Sequence, residues 1–129
     1  KLDKVISMRQ KNAAYLNKKL SKIPGVMVPL SQNDWRHIYQ TYTIVLQKGK
    51  ALRDGLKAHI NSRGIFAKVY YDPVHLTAFY REKFGYQPGL LPVSESISDK
   101  VLSLPMYPSL TKKEMDYMAG QIAAYVQSH

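Results

Sequence analysis

The spacing of apolar residues changes several times along the chain, and each change marks an element. Leu2, Ile6, Arg9, Ala13, Leu16, Leu20 and Ile23 recur at three- and four-residue steps, which predicts a helix over 2–23. Pro24-Gly25 stops it. Val26-Met27-Val28 reads as a short strand before Pro29, and residues 31–36, with Ser31, Asn33 and Asp34, as a loop or turn. From Ile38 to Leu46 the residues are β-branched, aromatic or aliphatic, which predicts a strand. Alternation along it puts Tyr39 and Tyr42 on opposite faces, so one of them turns away from the core. Leu52, Leu56 and Ile60 give a second helix over 51–63, with Gly64 as its left-handed cap. Gly55 lies inside that helix and weakens it by about 1 kcal/mol relative to Ala. Phe66 to Tyr71 reads as another strand.

Residues 72–110 are punctuated by Pro73, Pro88, Pro92, Pro105 and Pro108. Short helices are expected at 75–84 and 93–100, the latter with Val93, Ile97 and Val101 on one face. A short strand is expected over Val101–Leu104. Thr111 and Glu114 have the spacing of a capping box, and Met115, Met118, Ile122 and Val126 form the buried stripe of the last helix. The order predicts one domain over 1–129 of the α+β class. It is a two-layer sandwich in which helices cover a small, mainly antiparallel sheet, with the first and last helices side by side.

Composition narrows the reading. The 129 residues and 45% hydrophobic content suit one domain with its own core. There is no Cys, so disulfides and thiolate metal sites are excluded. Charged residues, Pro or Gly interrupt every apolar run, so no membrane span is expected. No signal peptide is visible, and the cytoplasm is the default compartment. The chain starts at Lys1 without an initiator Met, which suggests part of something longer. The net charge of +10 points to an anionic partner, but the Lys residues are scattered from Lys1 to Lys113. A solvated surface is the favoured reading over a nucleic-acid footprint.

No self-contained catalytic set is present. Walker, dinucleotide and nucleophile-elbow motifs are absent. His37, His59, His75 and His129 never fall at i,i+4 spacing, so no helical metal pair forms. His75 is the best single candidate, in Tyr70-Tyr71-Asp72-Pro73-Val74-His75 just past a strand. It is either presented to a ligand by a loop or held structurally by a backbone carbonyl. Glu95 is expected to bond a nearby backbone or basic group, and Asp72 and Glu82 form no evident acid/base pair with it. Tyr70, Tyr71, Phe79, Tyr80, Phe84 and Tyr86 crowd one region. They either stack on a sugar or base or cover a small core, the second being favoured. His59 reads as structural.

Four motifs in order then match something specific: His37-Ile-Tyr39-Gln-Thr-Tyr42, Tyr70-Tyr71-Asp-Pro73-Val-His75, Leu91-Pro92-Val93-Ser94-Glu95, and Val101-Leu-Ser-Leu-Pro105-Met-Tyr-Pro108-Ser-Leu-Thr111. Together they resemble the C-terminal domain of the DegT/DnrJ/StrS family of PLP-dependent sugar aminotransferases, over essentially the whole chain. The resemblance implies the small domain of a fold-type-I enzyme. The Schiff-base lysine, the aspartate at the pyridine nitrogen and the phosphate cup then belong to a preceding large domain. PLP is implied for the full-length enzyme, none is expected to bind this chain alone, and the chain alone is expected to be inactive. The implied partners are its own N-terminal large domain, a second copy in a homodimer, and a nucleotide-sugar substrate with glutamate as amino donor. No nucleic acid or membrane partner is implied. The histidine of the Pro-x-His motif maps onto His75 as a substrate contact, with Tyr71 and Tyr80 as further substrate-binding candidates. His37 and Tyr39 match a family motif that serves either the site or the packing. A stand-alone regulatory or ligand-binding module derived from the same domain is the alternative.

Overall fold

The computed structural model describes residues 1–32 and 34–129; of the predicted loop 31–36, Asn33 lies outside the described residues. In chain order the elements are α1 (Leu2–Leu20), β1 (Val26–Met27), β2 (Tyr42–Leu46), α2 (Lys50–Asn61), a 3-10 turn (Val74–Leu76), α3 (Ala78–Phe84), α4 (Pro92–Ser98), β3 (Val101–Leu104) and α5 (Lys112–Gln127). The strands form an antiparallel sheet in the order β1-β2-β3. Tyr42 lies opposite Leu104, Ile44 opposite Leu102, and Leu46 opposite Val26. Opposed residues share a face, so these six side chains make one apolar surface. Leu16 and Leu20 of α1, Leu56 and Ile60 of α2, and Met118 and Ile122 of α5 join it in a single core cluster. α5 packs beside both α1 and α2. The result is the expected α+β sandwich of helices on a small antiparallel sheet.

Burial decides where these elements form. Each fully buried Leu or Ile contributes about 1.5–3 kcal/mol. Leu56 and Ile60 are completely buried, which outweighs the helix-breaking cost of Gly55. Gly55 also has a packing reason, because a Cβ there would collide with the Tyr125 hydroxyl of α5. The capping box of α5 is present: Glu114 N–H donates to Thr111 Oγ1 at 3.3 Å, and Thr111 N–H donates to Glu114 Oε2 at 2.7 Å. Its four predicted stripe residues are all buried.

Several elements are shorter than their pattern suggests. α1 ends at Leu20, where tighter turn bonds replace the helical ones, although Ile23 beyond it is still buried. Leu2 is exposed, so the buried stripe begins at Ile6. The predicted strand 38–46 pairs only from Tyr42. Tyr39 takes a φ of +47° and its N–H donates to His37 Nδ1 at 3.0 Å, so a local turn displaces the ladder. Outside the alternation, Tyr39 is buried together with Tyr42 and neither faces away. Phe66–Tyr71 reduces to one bridge, Lys68 with Ser103. Its neighbours are already committed: Ala67 N–H donates to Asn61 Oδ1, and Ile65 N–H to Ile60 O. α2 stops at Asn61 with Ser62 as a right-handed cap, and Gly64 takes its positive φ two residues later. The 75–84 helix is split by Thr77, whose ψ of 153° is extended. The 93–100 helix spans Pro92–Ser98, with Val93 and Ile97 exposed and Val101 already in β3.

Candidate functional site

Between Asp72 and Ser98 the chain leaves the sandwich and returns as an arm. α3 buries no side chain, the 3-10 turn buries only His75, and α4 only Ser98. The arm is therefore held by polar contacts rather than by a core of its own. At its base Ser98 Oγ donates to Tyr71 O at 3.0 Å. Arg53, 3% exposed on α2, donates from Nη1 to Ser98 O at 2.7 Å and from Nε to Asp54 at 2.6 Å. Further out, His75 Nε2 meets Glu95 Oε1 at 2.9 Å. The outgoing and returning strands of the arm are thus cross-tied at 71/98 and 75/95.

Glu95 is the most heavily bonded carboxylate of the arm. Gly89 N–H lies 2.8 Å from Oε2 and 3.0 Å from Oε1, and Leu91 N–H donates to Oε1 at 3.1 Å. The Gly89 N–H above all, with His75 and the Leu91 N–H, holds its carboxyl below the usual carboxylate range. This meets the expectation that Glu95 bonds a backbone or basic group. His75 is 7% exposed and bound to a side-chain carboxylate rather than to a backbone carbonyl. Its Nδ1 has no hydrogen-bond partner among the described residues.

The other candidates scatter. Tyr71 is exposed, with its ring centroid 5.1 Å from Tyr70. Tyr80 stands in a row of rings on and after α3: Phe79 lies 5.3 Å away, Phe84 5.8 Å away, and Tyr86 continues from Phe84 at 5.5 Å. Among the described residues no ring pairs with His75. The aromatic crowd is on the outside: Phe79, Phe84 and Tyr71 are exposed, which corrects their reading as a core covering. Asp72 and Glu82 are exposed and pair with no base among the described residues. His37 and Tyr39 pack against each other, with rings 4.0 Å apart and Tyr39 in the core. His59 packs on Tyr125 at 4.9 Å. Among the described residues no group of three or more His, Asp or Glu could hold a metal.

Sequence reasoning missed Arg53 and Ser98, and it did not link Glu95 to His75. A single buried Arg on an apolar helix face was the one available signal; the two cross-ties depend on the arm folding back.

The sequence model of the DegT/DnrJ/EryC1/StrS aminotransferase family matches residues 1–123. The chain belongs to that family. A pleiotropic regulatory protein of Geobacillus stearothermophilus is 34% identical over 127 residues, covering 96% of this chain and 33% of its own length. A crystal structure of a DegT DnrJ EryC1 StrS aminotransferase from Brucella abortus is 34% identical, with a TM-score of 0.77 over 94% of this chain and 31% of that one. Spr1654 of Streptococcus pneumoniae, solved in a PLP-form, is 14% identical with a TM-score of 0.88 over 96% of this chain and 32% of its own, a likeness of fold. The chain spans about a third of the length of these relatives.

PLP requires a lysine, a carboxylate facing its pyridine nitrogen and donors for its phosphate. In the DegT-family chain a groove of about 460 Å³ brings lysines and carboxylates together, lined by Lys50, Arg53, Asp54, Lys57, Lys68, Val69 and Asp72. Asp54 is taken by Arg53, Lys50 lies 3.6 Å from Asp99, and no aromatic ring lines the groove.

Proposed function

We propose that this chain is the C-terminal small domain of a PLP-dependent aminotransferase acting on a keto-sugar nucleotide, with glutamate as amino donor. The family match over 1–123, in relatives about three times as long, carries the reading. The Schiff-base lysine and the PLP phosphate cup lie on a preceding large domain, and the enzyme works as a homodimer in the cytoplasm. This domain supplies a wall of the substrate pocket, with His75, Tyr71 and Tyr80 as its substrate-binding residues. A projecting arm with a tied imidazole and exposed phenols suits a hydroxylated sugar, which takes hydrogen bonds and a stacking face. The surplus of basic residues favours approach of a nucleotide diphosphate.

The test compares two proteins. The full-length protein with PLP should transfer an amino group from glutamate to a keto-sugar nucleotide, and the 129-residue chain should not. A stoichiometric Schiff-base absorbance in the 129-residue chain, abolished by one Lys substitution, would overturn the assignment of the lysine to another domain.

The name of the Geobacillus relative favours a second reading, a regulatory module built from the same domain. Full-length protein that binds a sugar nucleotide but transfers no amino group would support it.

A further inference from the structure

We infer that Glu95 is a positioning residue: it fixes His75 as the Nε2-protonated tautomer and leaves Nδ1 as the acceptor offered to a substrate hydroxyl. The tautomer follows from proton counting. A contact of 2.9 Å between Nε2 and Oε1 needs one proton, on the ring or on the carboxyl. The carboxyl already faces the N–H groups of Gly89 and Leu91 on the same two oxygens. A proton on either oxygen would compete with these donors, so the proton belongs to the imidazole. Neutral imidazole carries only one, so Nδ1 keeps its lone pair.

The direction of control follows from the backbone. Glu95 sits in the first turn of α4 and reaches back to Leu91, the residue that caps the start of that helix. Gly89, at a φ of +92°, turns its N–H onto the same carboxylate. These donors hold the carboxylate whether or not His75 is present, so the histidine adapts to the glutamate. A buried ring with one nitrogen tied can offer a ligand only the other nitrogen. That nitrogen is an acceptor, which suits a sugar hydroxyl and disfavours a carbonyl oxygen. The substrate half of this inference rests on His75 being a substrate contact; the tautomer does not.

The experiment is two-bond proton–nitrogen correlation of histidine in the 129-residue chain at mildly alkaline pH, where an ordinary imidazole is neutral. His75 is expected as Nε2–H with a bare Nδ1. Glu95→Ala removes the acceptor from Nε2, so the tautomer is no longer fixed and the Nδ1–H form appears. The amide signals of Leu76 and Asp99, which donate to the Pro73 and Glu95 carbonyls, report that the arm is intact. An Nδ1–H or doubly protonated His75 in the wild-type chain overturns the assignment, even if the variant fails to fold. An unchanged tautomer in a folded Glu95→Ala overturns it too. In the full-length enzyme the same variant should raise KM for the sugar nucleotide about tenfold, the value of one lost hydrogen bond, and leave KM for the amino donor unchanged. A lost tautomer preference with unchanged KM refutes the positioning role while leaving amino transfer intact. Absence of amino transfer strikes the proposed function, and the tautomer is still read without activity.

Discussion

The Tyr42 hydroxyl donates a 2.6 Å hydrogen bond to Asn17 Oδ1, joining the first residue of β2 to α1. Tyr42 is fully buried, and burial first, then Tyr39, pushes its phenol above its usual range. It therefore stays a donor across the neutral range. Tyr42→Phe keeps the ring and removes the bond, which should cost about 1 kcal/mol. The urea midpoint should fall with an unchanged m-value. An unshifted midpoint would mean that water satisfies Asn17 equally well.

Gly55→Ala should destabilise the protein although Ala is the better helix former by about 1 kcal/mol. The new methyl meets the Tyr125 hydroxyl, and Tyr125 is held between His59 at 4.9 Å and His129 at 4.1 Å. Overpacking of this kind costs about 1–3 kcal/mol. In a Tyr125→Phe background the nearest atom is gone and the penalty should shrink. A double-mutant cycle by urea denaturation measures this coupling; additive effects would refute the contact.

Arg53→Met should cost about 2 kcal/mol, since it removes charged hydrogen bonds to Ser98 O and Asp54 while keeping much of the apolar stem. The loss should be larger than for Lys50→Met at the exposed start of the same helix. Equal losses would remove Arg53 as the tie between α2 and the base of the arm.

Stability should fall in acid. Glu95, Glu114 and Asp116 titrate below the usual carboxylate range, chiefly through the Gly89 N–H, the Thr111 side chain and Lys19 respectively. A folded-state value below the unfolded one stabilises fully above the unfolded value. That stabilisation is lost as pH falls through the folded value. Urea midpoints should therefore hold near neutrality and drop below about pH 4. Thr111→Ala should flatten that drop and cost about 1 kcal/mol at neutral pH. A midpoint that rises on acidification would contradict the scheme.

The sandwich was legible because its signals are local. The Thr111–Glu114 spacing and the Met115-to-Val126 stripe specify α5 within one segment, and Val101–Leu104 is a strand as expected. The arm was harder to read because apolar residues there do not mean burial. Phe79, Phe84, Val93 and Ile97 carry the composition of a core and lie outside. Tyr39 failed the alternation rule because a side-chain acceptor two residues away captured its N–H. His75 was visible as a candidate from its motif. Its partner was not, since twenty residues separate it from Glu95 and only the returning arm brings them together.

The core cluster contains no side chain from the arm. That separation gives the two parts different selective constraints. A change at Leu56 or Ile122 is felt by the whole fold. A change at Phe79 or Val93 alters only what the arm presents, provided that Arg53, His75, Glu95 and Ser98 keep their bonds. The arm's outer residues can thus be rewritten on a sandwich that stays the same.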